Sequence, residues 1–152
     1  EAKLVDRLQM KFDLPFITAF GSVVAALKQI GVSNIAFGTP YSEQNTLRCK
    51  NLLEEYGFKV VHFGNLPGVR NIYDETPERA AQLMKQVDAS GAEAIFVSGV
   101  GMPTIDALEN SEKLLGKPII SSIAATMWNS LRIAGVSSHI QGYGSLLAGK
   151  YN

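Results

Sequence analysis

From Ala94 to Asp106 the chain reads AIFVSGVGMPTID, and this stretch decides the fold. Ile95, Phe96 and Val97 form a continuous apolar run, the pattern of a strand covered on both faces rather than one. A glycine-bearing turn, Ser98 to Gly101, follows at once. Pro103 and Thr104 then open a segment with helical apolar spacing. Strand, turn and helix in immediate succession form the repeating unit of a parallel α/β sheet.

The same alternation extends in both directions. Strands are predicted at Phe16 to Ala19, Asn34 to Gly38, Lys59 to Phe63, Ala94 to Ser98 and Ile119 to Ser122. Helices are predicted at Ala2 to Phe12, Ser22 to Ile30, Glu43 to Tyr56, Pro77 to Ser90, Thr104 to Leu115 and Ala124 to Ala134. Gly31, Gly57, Gly91, Gly116 and Gly135 sit where helix ends want a left-handed cap. Strands joined one after another by helices cannot pair as hairpins, so the expected fold is an open parallel α/β sheet with helices on both faces, a three-layer sandwich. The connection from Gly64 to Thr76, with Pro67, Gly68 and Pro77 in or beside it, is the one loop long enough to act as a lid.

The chain has 152 residues, 46% of them hydrophobic, enough for one core and too few for two full-sized domains. One α/β domain over residues 1–152 is expected. Lys plus Arg is 14 and Asp plus Glu is 14, evenly spread, which argues against nucleic acid and anionic membrane as main partners. No apolar run approaches the ~18 residues of a membrane span. Cys49 has no partner for an intramolecular disulfide, and His62 and His139 lie far apart, so no metal cluster is expected. A reducing, cytoplasmic compartment fits the single thiol.

In an open parallel sheet, ligands bind beyond the carboxyl ends of the strands. Thr39 to Ser42, Ser98 to Thr104 and Ser121-Ser122 are therefore the loops to inspect. The Gly-x-Gly of the second loop fails as a dinucleotide fingerprint: a third glycine is missing, and Ser121-Ser122 stands where an acidic residue should bind ribose. No Gly-x-x-x-x-Gly-Lys-Ser/Thr phosphate loop occurs. Cys49 forms an i, i+3, i+4, i+7 stripe with Leu52, Leu53 and Tyr56, a core face rather than a nucleophile. Trp128 lies on a similar stripe with Ala124, Met127 and Leu131. His62, inside a strand, reads as structural rather than as a base. Glu43 and Asp106 fall in first helical turns, where the helix dipole accounts for them. Tyr41 is different: a Pro-Tyr-Ser turn at a strand's carboxyl end can hold a phenol over the sheet edge, in reach of a ligand.

Phe37-Gly38-Thr39-Pro40-Tyr41, the run Ala94 to Asp106, and Leu115 to Ser122 followed by Trp128 and Leu131 to Gly135 together resemble the maleate isomerase and arylmalonate decarboxylase branch of the aspartate/glutamate racemase superfamily. Gly142-Tyr143-Gly144 fits as well. The resemblance implies a cofactor-independent isomerase, racemase or decarboxylase of a small carboxylic or dicarboxylic acid. It implies two similar halves with the active site between them, and one key position, often cysteine, from each. This chain resembles the second, C-terminal half, so the resemblance places the first half's cysteine loop before residue 1. It also implies that the terminal segment 137–152 packs on that other half, that the 152 residues alone are inactive, and that the protein is a homo-oligomer. The second-half cysteine position falls on Gly99. No catalytic residue is therefore assigned within the chain, and a non-catalytic carboxylate-binding protein of the same fold is the alternative. Substrate contacts are expected from Tyr41, Ser98, Gly99, Val100 and Gly101, with no metal and no cofactor. Glycines that let the main chain approach, followed by a helix N-terminus, suit a carboxylate on which charge develops.

Overall fold

A computed structural model of the chain describes residues 1–151; Asn152, the last residue of the terminal segment, and the Ala2 side chain lie outside the described set. The elements run α1 (Ala2–Phe12), α2 (Ala19–Gln29), β1 (Asn34–Thr39), α3 (Glu43–Glu55), β2 (Lys59–Asn65), a 3-10 turn (Ile72–Asp74), α4 (Pro77–Val87), β3 (Ala94–Val97), α5 (Ile105–Leu115), β4 (Ile119–Ser121) and α6 (Ser122–Ile133). The four strands lie in the order β2-β1-β3-β4, and every pair is parallel. All strand carboxyl ends therefore share one edge, as the alternation predicts.

Pleating separates the layers. Leu83 of α4 stands over Gly38, whereas the hydroxyl of the next residue, Thr39, meets that of Thr46 on α3. Successive strand residues point to opposite faces, so α4 and α3 cover different sides. α5 packs with α4, and α2 packs with α6. Phe20 of α2 meets Tyr56, just beyond α3, edge-on at 5.5 Å between ring centroids, which puts α2, α3 and α6 together. Between the layers, Phe37 and Phe96 are register partners on neighbouring strands, and their rings stack at 5.2 Å. The apolar runs of β1, β3 and β4 are buried, as a sheet covered on both faces requires, whereas on edge strand β2 only Val60 is buried.

Serine and threonine fix the helix starts. Thr18, Ser42, Thr76 and Ser121 each accept a backbone N–H from the first turn of the helix that follows. This chemistry overrides the strand expected at Phe16 to Ala19: Thr18 accepts the Gly21 N–H at 2.9 Å, so α2 begins at Ala19 and no strand forms there. Likewise α6 starts at Ser122 rather than Ala124, because Ser121 caps it through the Ala124 N–H at 3.2 Å.

At the other helix ends, Gly31, Gly57, Gly116 and Gly135 have positive φ, but Gly91 does not cap α4. That helix ends at Val87, where Asp88 takes an extended ψ of 136°; Lys117 forms an ion pair with the Asp88 carboxylate at 2.7 Å and donates to the Ala89 carbonyl at 3.0 Å.

The α3 stripe is narrower than its spacing suggests. Leu53 is fully buried and Cys49 half-buried, while Leu52 and Tyr56 are exposed. On α6, Ala124 and Trp128 are buried but Met127 faces out. His62 is exposed on edge strand β2, where it pairs with Ala36 of β1. Part of the terminal segment belongs to this chain's own core: Leu146 and Leu147 are buried, and Glu112 accepts the Ser145 N–H and hydroxyl, both at 2.7 Å. Among the described residues no helix is long and apolar enough to cross a membrane.

Candidate functional site

From β1 the chain leaves for β2 on one side of the sheet, and it later returns to β3 on the other side. The crevice outside the carboxyl ends of β1 and β3 is thus the topological switch point, where the loops diverge and a ligand can reach main-chain groups. Two of the sequence-predicted loops meet here. The Ser98 N–H donates to the Gly38 carbonyl at 2.9 Å, and the Leu66 N–H to the Thr39 carbonyl at 2.8 Å. The ends of three strands are tied in this way.

A chain of hydroxyls supports the Tyr41 turn from below. Thr46 donates to the Ser42 carbonyl at 2.9 Å, so the 2.6 Å contact between the Thr39 and Thr46 hydroxyls has Thr39 as donor. Thr39 Oγ1 in turn accepts the Tyr41 N–H at 3.1 Å. Both threonines are buried. They fix the backbone at Tyr41, whose side chain is 36% exposed and makes no hydrogen bond to the described residues.

The glycine turn has its own geometry. Gly99 is buried with φ of +106°, a region that side chains rarely adopt. A Cβ there would lie 2.9 Å from Cγ of Pro40 and 2.9 Å from Cδ1 of Ile72. A Cβ on Gly101 would lie 2.7 Å from Cε1 of Tyr73. The Ser98 N–H is already used on Gly38, and the Met102 N–H closes the turn onto the Gly99 carbonyl at 3.1 Å. Between them, the N–H groups of Gly99, Val100 and Gly101 have no acceptor among the described residues. Val100 projects outward, 53% exposed, while Met102 is buried beneath the turn.

Three details of this edge lie beyond what the sequence reading assigned to these loops. Ile72 and Tyr73, on the long connection after β2, cover the glycine turn; the length of that connection and its Pro67-Gly68 were the available signal. Thr104 sits at the α5 start with a helical backbone and no capping bond, and its fully buried Oγ1 has no hydrogen-bond partner among the described residues. Ser121, by contrast, spends its hydroxyl on the α6 cap, so the third loop offers less than its sequence suggests.

Titratable groups add little chemistry. Burial pushes the Cys49 thiol above its ordinary value, which disfavours the thiolate. Among the described residues no group of His, Cys, Asp and Glu could hold a metal ion.

The chain's likeness to known proteins is consistent along its length. The family model described as arylmalonate decarboxylase matches residues 1–147. A maleate isomerase of Geobacillus stearothermophilus is 27% identical over 140 residues, covering 90% of this chain and 56% of the relative. The arylmalonate decarboxylase of Bordetella bronchiseptica is 28% identical over 139 residues, covering 88% of this chain and 58% of the relative.

Among solved structures, a mutant arylmalonate decarboxylase in its liganded form superimposes with a TM-score of 0.89 at 27% identity, covering 95% of this chain and 64% of that one. A mutant maleate isomerase from Pseudomonas putida, solved with maleate, gives 0.89 at 25% identity, covering 97% of this chain and 62% of that one. The chain thus spans a little over half the length of the curated relatives it matches. With its parallel sheet, its glycine turn at the switch point and a family match over nearly every residue, the chain belongs to the arylmalonate decarboxylase family.

Proposed function

We propose that the protein acts without a cofactor on a small carboxylic or dicarboxylic acid, by isomerisation, racemisation or decarboxylation. This chain supplies the carboxylate-binding wall of the site. The observation that carries the reading is the row of three N–H groups at Gly99, Val100 and Gly101, beside the Tyr41 turn and in front of α5. Such a row attracts an oxyanion and stabilises charge that develops on it. Ser98 would contribute through its hydroxyl and Tyr41 through its phenol.

The chemistry needs a proton carrier or nucleophile that this chain does not present at the turn. We assign it to a second, similar half facing this edge, which makes the chain the C-terminal half of a two-half enzyme. Coverage of little more than half of each curated relative supports a further half beside this one. A reducing cytoplasmic setting and a homo-oligomer complete the proposal.

A second reading, a carboxylate-binding protein without catalysis, is favoured by one observation: Pro40 and Ile72 fill the space a cysteine at position 99 would need.

The test is a titration of the 152-residue chain with maleate and with phenylmalonate, followed by backbone amide resonances. Shifts at Gly99, Val100 and Gly101, weakened in Tyr41→Phe, are expected. Unmoved amides at saturating acid overturn the carboxylate site. In an active assembly Tyr41→Phe should lower kcat/KM by on the order of 10- to 100-fold, for a hydrogen bond to developing charge worth about 1.5–3 kcal/mol. Binding without turnover when a thiol-bearing second half is present favours the second reading.

A further inference from the structure

The segment between β2 and α4 is a strap laid over the glycine turn, and its two ends converge on one side chain. Arg79, in the first turns of α4, donates from Nη2 to the Pro67 carbonyl at 2.6 Å and from Nε to the Glu75 carboxylate at 3.0 Å. Its Nη1 rests on Gln82 of its own helix at 3.4 Å. Pro67 begins the strap and Glu75 ends it, so one guanidinium closes the loop like a clasp. Inside the clasp, Asn71 accepts the Tyr73 N–H at 3.2 Å, and the 3-10 turn this caps carries Ile72 and Tyr73 onto Gly99 and Gly101.

The fit depends on both partners. The glycines leave room for Ile72 and Tyr73, and the clasp keeps those residues there although Tyr73 is 78% exposed and has little burial of its own to hold it. Glu75 is the reason the clasp needs an arginine. Its side chain is only 10% exposed, so without a cation it would carry a nearly buried, unpaired charge. It would then turn out to water and release that end of the strap. A planar guanidinium reaches a carboxylate and a carbonyl at once, which a single ammonium cannot match.

We propose that Arg79 is a positioning residue for the carboxylate site: by clasping Pro67 to Glu75 it holds the strap on the glycine turn, fixing the Gly99 to Gly101 N–H groups and excluding water from the anion they bind. Arg79 touches no substrate. It acts through Ile72 and Tyr73, and the inference rests on the carboxylate reading of the turn.

The experiment combines amide hydrogen exchange with the maleate titration in four chains: wild type, Arg79→Ala, Arg79→Lys, and the double variant Glu75→Gln/Arg79→Gln. Arg79→Ala is expected to accelerate exchange across residues 68–74 and to weaken maleate binding. If the seated strap falls to about a tenth of the population, the apparent Kd rises about tenfold. Arg79→Lys should lie between wild type and Arg79→Ala. The double variant removes the buried charge together with the clasp. It should recover the wild-type melting temperature while keeping the weakened binding, a split that a purely structural role would not produce.

Full recovery of binding in the double variant overturns the proposal. So does unchanged strap exchange in Arg79→Ala, whatever happens to binding. If wild type takes up no maleate, the carboxylate reading fails, and with it the positioning role; the exchange data then judge the clasp separately, so the two failures are distinguishable.

Discussion

Pro40 fills the space that a side chain on Gly99 would need, its Cγ 2.9 Å from where that Cβ would stand. The relation is reciprocal, because Pro40 is buried and cannot move without disturbing the Tyr41 turn it precedes. The backbone at Gly99 adds its own barrier with φ of +106°. In this chain the glycine is part of how the two loops fit together, and any side chain at position 99 meets both the contact and the backbone strain.

Gly99→Cys should therefore destabilise the chain by about 1–3 kcal/mol from backbone conformation alone, with a further loss from the contacts with Pro40 and Ile72. A urea melt with unchanged slope and a lower midpoint is the expected result. A variant as stable as wild type would show that the loops can part without cost.

Thr39→Val is nearly isosteric, but it removes the link between Tyr41 and Thr46. The Tyr41 N–H loses its acceptor, and the buried Thr46 oxygen loses its donor. A loss of about 1–3 kcal/mol is expected for groups left unsatisfied in the interior. Resonances of Tyr41 and Ser42 should move with it, which separates this effect from a general loosening of the core.

Cys49 should react slowly with iodoacetamide at neutral pH in the folded chain and at an ordinary rate in urea, because burial raises its pKa and limits access. Cys49→Ala should keep the fold and the maleate-induced amide shifts. Loss of those shifts in a folded Cys49→Ala chain would place the thiol in the site after all.

Glu93 joins the amino ends of β1 and β3: its carboxylate accepts the Asn34 N–H at 2.6 Å and the Ser33 N–H at 2.8 Å. These bonds, with that from Asn34 the larger influence, hold its pKa below the ordinary glutamate value of about 4.3. A carboxyl with a lowered folded pKa contributes stability that is present above the unfolded value and is lost as pH falls through the folded one. Glu93→Gln should accordingly flatten the acid limb of the stability curve below about pH 4.3 and leave its slope near neutrality unchanged. An identical acid limb in the two proteins would mean that the bonds do not persist in solution.

The sequence by itself determined the layered sheet. Runs such as Ile95-Phe96-Val97 carry enough apolar surface to demand cover on both faces, and helix-spaced segments between them leave parallel pairing as the consistent arrangement. It also placed the glycine turn and Tyr41 at the right edge, since parallel strands send all their carboxyl ends the same way.

Local capping competed with pattern at Phe16 to Ala19, where one threonine hydroxyl outweighed four strand-like residues and started a helix. What only the tertiary structure decided is which distant residues share that edge. Lys117 pairs with Asp88 just past α4 from across the fold, the Thr39–Thr46 pair supports Tyr41 from α3, and the strap brings Ile72 and Tyr73 onto glycines that follow them by nearly thirty residues. Periodicity records which face of an element is apolar, but a loop has no period. Its path is set by what can pack where a Cβ is missing and by which buried polar group finds a partner.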